Sequence, residues 1–392
     1  MGSSIETENR LAVIIAIDGL RASALGTYGN TAFSTPLFDE LASRSTVIEW
    51  LFANGPSRGD FYQAALSAFS PYGVNCRLIT DDSLLASSTG GNFFEDVLTI
   101  EPGVARSAKD LTATHAATFF AQSIEHLPIW LKEVTEQRRN GLLWLHFSGL
   151  NGPWDAPFAM RQGLLDEDDP SAPEFITPPS NVCDVTDPDE LLGYRVAYAA
   201  QVSVIETCLA GFVEAFEQFT FEGKKLTMIC GTSGFALGEH GCVGHDCQSL
   251  YSEQIHLPCL LMTEENPGPL PRVTGFAQPV DIGTTLVHWL TGIEAEEAPG
   301  QSFVSFLDYP GGKLRDVVFA KNLAGESTIH TPAWLMKQGG AVELYAKPDD
   351  RWEANDVASR CPEIVEQLCQ HLLAMQAGRT EPLSEELTSP WR

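Results

Sequence analysis

Five short segments carry side chains able to bind or attack a substrate. Asp18 ends the apolar run LAVIIAID and is followed by Gly19. A carboxylate at the C-terminal end of a buried strand lies where open α/β sheets bind ligands. Asn54-Gly55-Pro56-Ser57-Arg58 puts an amide, a hydroxyl and a guanidinium in one stretch, suited to hydrogen bonding and to anion binding. Asn151 in Gly149–Pro153 and Thr232 and Ser233 in Gly231–Gly234 add a second amide and two more hydroxyls. Last, Glu239, His240, Cys242, His245, Asp246 and Cys247 include the pattern His-x-Cys-x-x-His-x-Cys. Those are zinc-type ligands, although so tight a spacing demands a strongly folded loop.

The elements that must position these groups alternate in type. Apolar runs at 11–18, Leu142–Phe147, Leu226–Cys230 and Leu257–Met262 predict buried strands. Helical patterns lie between them at Leu37–Arg44, Thr114–Glu136 and Tyr194–Phe219. Strands alternating with helices predict an α/β layer, with helices on both faces of a largely parallel sheet. Beyond residue 312 the pattern changes to β-like segments at Asp316–Lys321, Ser327–Lys337 and Ala341–Ala346, followed by a helix at Pro362–Gln376. That order predicts a small antiparallel sheet with a helix packed on it. The expected division is an α/β domain over 9–311, an α+β domain over 312–378 and a polar, frayed tail over 379–392. Residues 163–190 are acidic and Pro-rich, with no Lys or Arg, and predict a solvated loop.

Composition limits the partners. The 392 residues carry 24 basic and 52 acidic side chains, a formal charge of −28. Such a surface repels nucleic acid and anionic membranes, so neither is expected as a partner. A polyanionic ligand would need a local basic pocket. No apolar run approaches the ~20 residues of a spanning helix. The opening Met1-Gly2-Ser3-Ser4 resembles a myristoylation start, but Glu6 stands where Ser or Thr is required. With no basic segment and no apolar segment ahead of the first strand, a cytoplasmic protein is the expectation. Nine cysteines without Cys-x-x-Cys predict free, mostly buried thiols in a reducing compartment.

Taken in order, several segments resemble the sulfatase family, of the alkaline-phosphatase-like superfamily. AVIIAIDGLRASALGTYGN with TPLFDELASRS is similar to the family's first strand, metal-binding Asp and following helix. GPSRGDFYQAALS resembles the segment after the nucleophilic cysteine, and LWLHFSGLNGPWDAP the strand and Asp-Pro-His loop. LGEHGCVGH, LYSEQIHLPCLL, VDIGTTLVHWLTGI with GQSF, and TPAWLMKQGGAVELYAKPDDRWEANDVAS follow in the family's order, so the matches run from about 11 to 373. The resemblance implies an alkaline-phosphatase-like fold and, in active members, sulfuric-ester hydrolysis by a formylglycine made from cysteine beside a calcium ion.

The same resemblance shows what is missing. Asn54 stands at the nucleophile, and a carboxamide neither attacks sulfur nor becomes an aldehyde. Ser57 matches a structural Ser of the family and is a weak substitute nucleophile. Arg58 is retained, free to bind an anion or to pair with a carboxylate. Asp18 matches the first metal-binding acid, Gly19 the second, and Thr232 and Ser233 the later Asp and Asn or His. One carboxylate therefore remains where calcium wants several. Asp18 is then a remnant ligand, a strand-end cap, or a partner of Arg58 or Arg21. Asn151 takes the place of the loop's His and cannot donate a proton as His⁺ does. The Lys-x-His-like motif has no match after SPYGVNCRLITDDSLLA, and His245 stands near the family's sulfate-contacting Lys or His.

The expectation is a sulfatase-like pseudoenzyme whose pocket at Asp18, Asn54, Arg58, Asn151, Thr232, Ser233 and His245 takes a small anion, a glycan or a protein partner. No cofactor is expected, and calcium only if the family's site still works. The competing reading is an active sulfuric- or phosphoric-ester hydrolase using non-standard residues.

Overall fold

A computed structural model describes residues 9–69, 73–89, 92–103, 106–264, 272–308, 314–379 and 381–389. The first apolar run becomes β1 (Arg10–Ile17), buried on both faces. Its alternating side chains divide between two cores: Leu11, Val13, Ile15 and Ile17 face one, Ala12, Ile14 and Ala16 the other. A strand apolar on both faces can only sit inside a sheet covered on both sides. The neighbours are β2 (Thr46–Phe52), β3 (Val74–Thr80), β4 (Asp96–Thr99) and β5 (Asn140–Phe147). Farther along come β6 (Val182–Cys183), β7 (Lys224–Gly231), β8 (Ala236–Leu237), β9 (Cys242–Gly244), β10 (His256–Thr263) and β11 (Arg272–Ala277).

The large sheet has eight strands in the order β11-β2-β10-β7-β1-β5-β3-β4, while β6, β9 and β8 form a small sheet of their own. Only β10 runs against its neighbours in the large sheet. The four predicted strands are its central members, extended by a residue or two. β2, β3, β4 and β11 were not singled out by apolar runs, because each is short or interrupted by a polar, charged or small residue.

Helices cover both faces. They are α1 (Pro36–Ser43), α2 (Arg58–Ser67), α3 (Ser83–Thr89), α4 (His115–Gln137), α5 (Phe158–Gln162), α6 (Pro188–Gln218), α7 (Ser252–Ile255), α8 (Pro279–Thr291) and α9 (Val304–Asp308). α1, α4 and α6 pack on one core, α2 and α8 on the other. α6 begins six residues before the predicted Tyr194, since Asp187 accepts a hydrogen bond from the Asp189 N–H and Pro188 opens the first turn. By length and hydropathy α6 could cross a membrane, but 72% of its most apolar window is buried in the fold. Its apolarity is that of a core helix.

Two expectations about loops need correction. The acidic stretch 163–190 is not simply solvated. Arg161, fully buried, donates to the carbonyls of Trp154 (2.6 Å) and Pro173 (2.8 Å), and Phe175 stacks on Tyr194. The cysteines are not all free thiols either: Cys242 and Cys247 form a disulfide, their Cα atoms 6.5 Å apart where the chain turns back after β9. Cys76, Cys230 and Cys259 are buried and free as expected.

Strands β12 (Val318–Lys321), β13 (Ser327–His330), β14 (Trp334–Gln338) and β15 (Val342–Ala346) make the antiparallel C-terminal sheet. The segment Ser327–Lys337, expected as one strand, is two. Pro332 interrupts the ladder, and Thr331 and Trp334 bond across the turn. The boundary expected at 311 and 312 lies outside the described residues. α10 (Pro362–Gln376) lies against the sheet as predicted, its Leu368 and Leu372 buried with Ile329, Met336 and Leu344.

Residues 381–389 are anchored as well. α11 (Glu385–Thr388) buries Leu387 in that small core, and Trp334 Nε1 donates to the Glu386 carbonyl at 2.9 Å. We expect Leu387→Ala to cost about 2–4 kcal/mol, as large-to-small changes in closed cores do, read as a lowered urea midpoint. A midpoint equal to that of the parent chain would mean that the tail is frayed after all.

Candidate active site

Strand geometry brings the predicted residues together. β1, β5 and β7 are parallel neighbours, and the turns that leave them deliver Asp18, Gly149–Asn151 and Thr232–Ser233 to one spot at their C-terminal ends. α2 supplies Arg58 from its first turn. Ser57 caps that helix, accepting from the Asp60 N–H while its own hydroxyl donates to Asp60 Oδ2 at 2.7 Å. The Ser57 hydroxyl is thus committed to capping rather than poised to attack.

Asp18 is fully buried, and its oxygens are taken. Oδ1 accepts from the Thr232 hydroxyl. Oδ2 accepts from Arg58 Nη1 at 3.1 Å and lies 3.7 Å from His146 Nε2. Arg58 Nη1 also meets Asp82 Oδ2 at 2.7 Å. One guanidinium therefore bridges two carboxylates, the buried Asp18 and the partly open Asp82. Burial works against its charge, but the two acids outweigh that and hold Arg58 more firmly protonated than usual. Burial likewise pushes Asp82 up, and the Leu85 N–H and Arg58 more than reverse it, leaving its pKa below the ordinary value. Arg21, the other suggested partner of Asp18, instead pairs with Glu239 at 2.6 Å.

Behind Asp18 a polar chain fixes the ring of His146. Trp144 Nε1 donates to the Tyr62 oxygen at 3.1 Å, which leaves the phenol proton for His146 Nδ1 at 2.9 Å. Burial first, then the Asp18 charge, raises the Tyr62 pKa well above its usual value, so the phenol stays neutral. His146 then carries its proton on Nε2, facing Asp18. A second cluster flanks the first. Asp81 accepts from the Ser148 N–H at 2.8 Å and from the Ser148 hydroxyl, and lies 2.7 Å from His115 Nε2. A serine beside an acid and a histidine invites a triad reading, but the Ser148 proton goes to the carboxylate, not to the ring. A triad needs the reverse.

Of the remaining predicted residues, Ser233 and Asn151 join the centre by hydrogen bonds. Ser233 Oγ accepts from the Gly19 N–H at 3.2 Å and from Asn151 Nδ2 at 3.3 Å. Oδ1 of Asn151 and Oδ1 of Asn54 are both buried without a protein partner. His245 lies within electrostatic reach of Asp18 and Arg58, and burial, its largest influence, lowers its pKa. The His/Cys pattern does not converge. Cys242 and Cys247 bond to each other, and His240 stacks on Tyr251 while pairing with Glu253 at 2.7 Å. Among the described residues no His, Cys, Asp and Glu group of three or more is placed to hold a metal.

A divalent cation does not fit around Asp18. At Gly19, φ is +73°, and an added Cβ would lie 2.7 Å from Asn151 Oδ1 and 2.8 Å from Leu150 Cβ. No acid can stand there without moving the loop. Thr232 and Ser233 offer hydroxyls in place of charged ligands, and Arg58 already supplies the positive charge that Asp18 and Asp82 require.

Five residues of this centre, Tyr62, Asp81, Asp82, His115 and His146, were absent from the predicted set. Asp81-Asp82 follow directly on β3, and His146 is in the quoted strand segment LWLHFSG. A search for acids just beyond apolar strands would have found the first two. His115 comes from a distant helix start, where no local signal marks it.

Comparison with solved structures places the fold. The chain superposes with a TM-score of 0.71 on a protein solved with its substrate D-glucosamine-2-N,6-O-disulfate, at 13% identity over 95% of this chain and 98% of that one. Against the phosphonate monoester hydrolase of Agrobacterium radiobacter the TM-score is 0.69, at 15% identity over 95% and 96% of the two chains. Against a 2-O glycosaminoglycan sulfatase it is 0.64, at 16% identity over 95% and 92%. No family model and no curated protein sequence matches. The fold is therefore that of the sulfatases and of the phosphonate monoester hydrolase.

Arg58→Ala should cost about 3 kcal/mol at neutral pH, because it leaves Asp18 buried without its counter-charge. Denaturant midpoints report this, and an unchanged midpoint would refute the bridging role. The acid limb carries its own sign. Asp82 titrates lower in the folded chain, so its contribution is complete above its unfolded value of 3.8 and is lost as pH falls through the folded one. Asp82→Asn should flatten that limb of the stability–pH curve.

Proposed function

We propose that this chain is a sulfatase-like protein that no longer hydrolyses esters and uses its strand-end pocket to bind a glycan. The observation that carries the reading is the position of Arg58. Its guanidinium bridges Asp18 and Asp82, in a centre whose geometry leaves no room for a second acid at Gly19. Without a cation to polarise the ester and without an attacking group at Asn54, the family's reaction has no driver.

The choice of a glycan over a small anion follows from charge. Asp18 and Asp82 already share one guanidinium, and the neighbouring Asp81, bonded to Ser148 and His115, adds a third carboxylate. An anion would meet more negative than positive charge there. A neutral sugar can bond the open side of Asp82 without a charge penalty, and the buried amide oxygens of Asn54 and Asn151 keep an acceptor that no protein donor occupies. The substrate of one solved protein of this fold, D-glucosamine-2-N,6-O-disulfate, has a sugar as its body, which favours a glycan as the ligand class.

Two measurements test this. Purified protein should not turn over 4-nitrophenyl sulfate, 4-nitrophenyl phosphate or a phenylphosphonate ester, with or without added calcium. Turnover that disappears in both Asp18→Ala and Arg58→Ala would overturn the inactive reading. Calorimetry should detect uncharged glucosamine-containing oligosaccharides at least as readily as their sulfated forms, and Asn54→Ala with Asn151→Ala should weaken that binding by about tenfold, near 1.4 kcal/mol. A clear preference for the sulfated forms would instead favour an anion pocket.

A further inference from the structure

A separate cavity of about 640 Å³ opens between the β2–β11 edge of the large sheet and the C-terminal sheet. Its volume is in the range that holds a small organic ligand. None of Asp18, Asn54, Arg58, Asn151, Thr232, Ser233 or His245 lines it.

One wall is a run of flat rings. Trp50 stacks on His256 at 5.0 Å and 21° and His256 on Phe52 at 5.0 Å and 28°, while Phe52 lies tilted against the buried His330 at 4.1 Å and 36°. His256 Nε2 donates to the Glu49 carbonyl at 2.9 Å. His330 Nε2 is buried without a protein partner. Burial keeps both rings neutral, lowering His256 to about 4 and His330 well below its usual value. The wall is therefore an uncharged stacking surface at neutral pH.

The charge lies at the mouth. Lys347 and Arg315 line the cavity but are matched, by Glu353 at 2.8 Å and Asp281 at 2.5 Å. Arg272 and Arg351 are not. Arg272 Nη2 donates to the Thr27 carbonyl at 2.6 Å, and Arg351 Nη2 to the Tyr28 carbonyl at 2.6 Å. Among the described residues neither makes an ion pair. Two guanidiniums thus gather on one three-residue turn, bonded to its backbone oxygens, with Arg351 also lying over the Trp352 ring at 5.1 Å. Of the acids that line the cavity, Glu239, Glu253 and Glu353 are each engaged with a basic side chain. Glu49 and Asp316 are the others in the lining.

We propose that this cavity binds an aromatic anion, its ring system packed against the half-buried Trp50 and His256 and its negative group held between Arg272 and Arg351. Stacking supplies affinity for any flat ring, and paired guanidiniums select the charged one through charge-assisted hydrogen bonds. The site is independent of the glycan pocket.

The test uses 2-naphthoate and its neutral counterpart 2-naphthalenemethanol, titrated against the full chain and followed by calorimetry and tryptophan fluorescence. The carboxylate should bind one to one, about tenfold or more tighter than the alcohol. Arg272→Gln with Arg351→Gln should remove that preference. Both side chains are exposed, so the variant keeps its fold, which circular dichroism checks. Trp50→Leu should weaken both probes, whereas Asn151→Ala should change neither. Absence of saturable binding, equal affinity for acid and alcohol, or a loss that follows Asn151→Ala would each overturn the proposal.

Discussion

A carboxylate fully enclosed at the end of a parallel strand must be compensated, or the fold bears the cost of an unpaired buried charge. In this protein the compensation comes from one guanidinium and one hydroxyl. Asp18 holds Arg58 and Thr232, and Arg58 in turn holds Asp82. That requirement sets the surroundings. α2 must start where Ser57 caps it so that Arg58 points inward, and the turn after β7 must present Thr232. The loop after β5 must press so closely on Gly19 that only a residue without a side chain fits. A centre organised around an internal cation of this kind has little reason to recruit an external one.

The C-terminal sheet is joined closely to the large one. Lys321 N–H bonds the Asn54 carbonyl at 2.9 Å, Arg315 bridges to Phe276, and the His330 ring lies on Phe52. Arg351 reaches back to the turn at Tyr28 and Gly29. These contacts hold the two layers apart along one edge, and the aromatic cavity is the space they enclose. Arg272 and Arg351, neither of which meets an acid among the described residues, both reach the turn at Thr27 and Tyr28 on its margin.

The candidate site was legible in part. Asp18, Asn54, Arg58, Asn151, Thr232 and Ser233 follow from motif order, because each sits at a fixed offset from a strand or helix whose hydrophobic pattern is strong. The likeness of fold holds even at 13–16% identity, since buried patterning persists where surface residues do not. Pairing was less legible. Arg58 had both Asp18 and solvent anions as candidate partners, and the part played by Asp82 depends on how far β3 reaches beside β5. The disulfide escaped detection because an odd number of cysteines without Cys-x-x-Cys says nothing about which loops turn back on themselves.

From the residues alone came the α/β layering, the small antiparallel sheet with its helix, and the presence of Asn54, Gly19 and Thr232 where the resemblance expects a nucleophile and acids. Those features are local: an apolar period, a cap, or the identity of one side chain. The tertiary structure alone decided that Arg58 bridges two acids, that His115 and His146 join the centre from distant segments, and that an aromatic cavity lies beside it. Such features depend on strand order and on the distance between elements far apart in the chain, and no periodicity along the sequence encodes a distance across the fold.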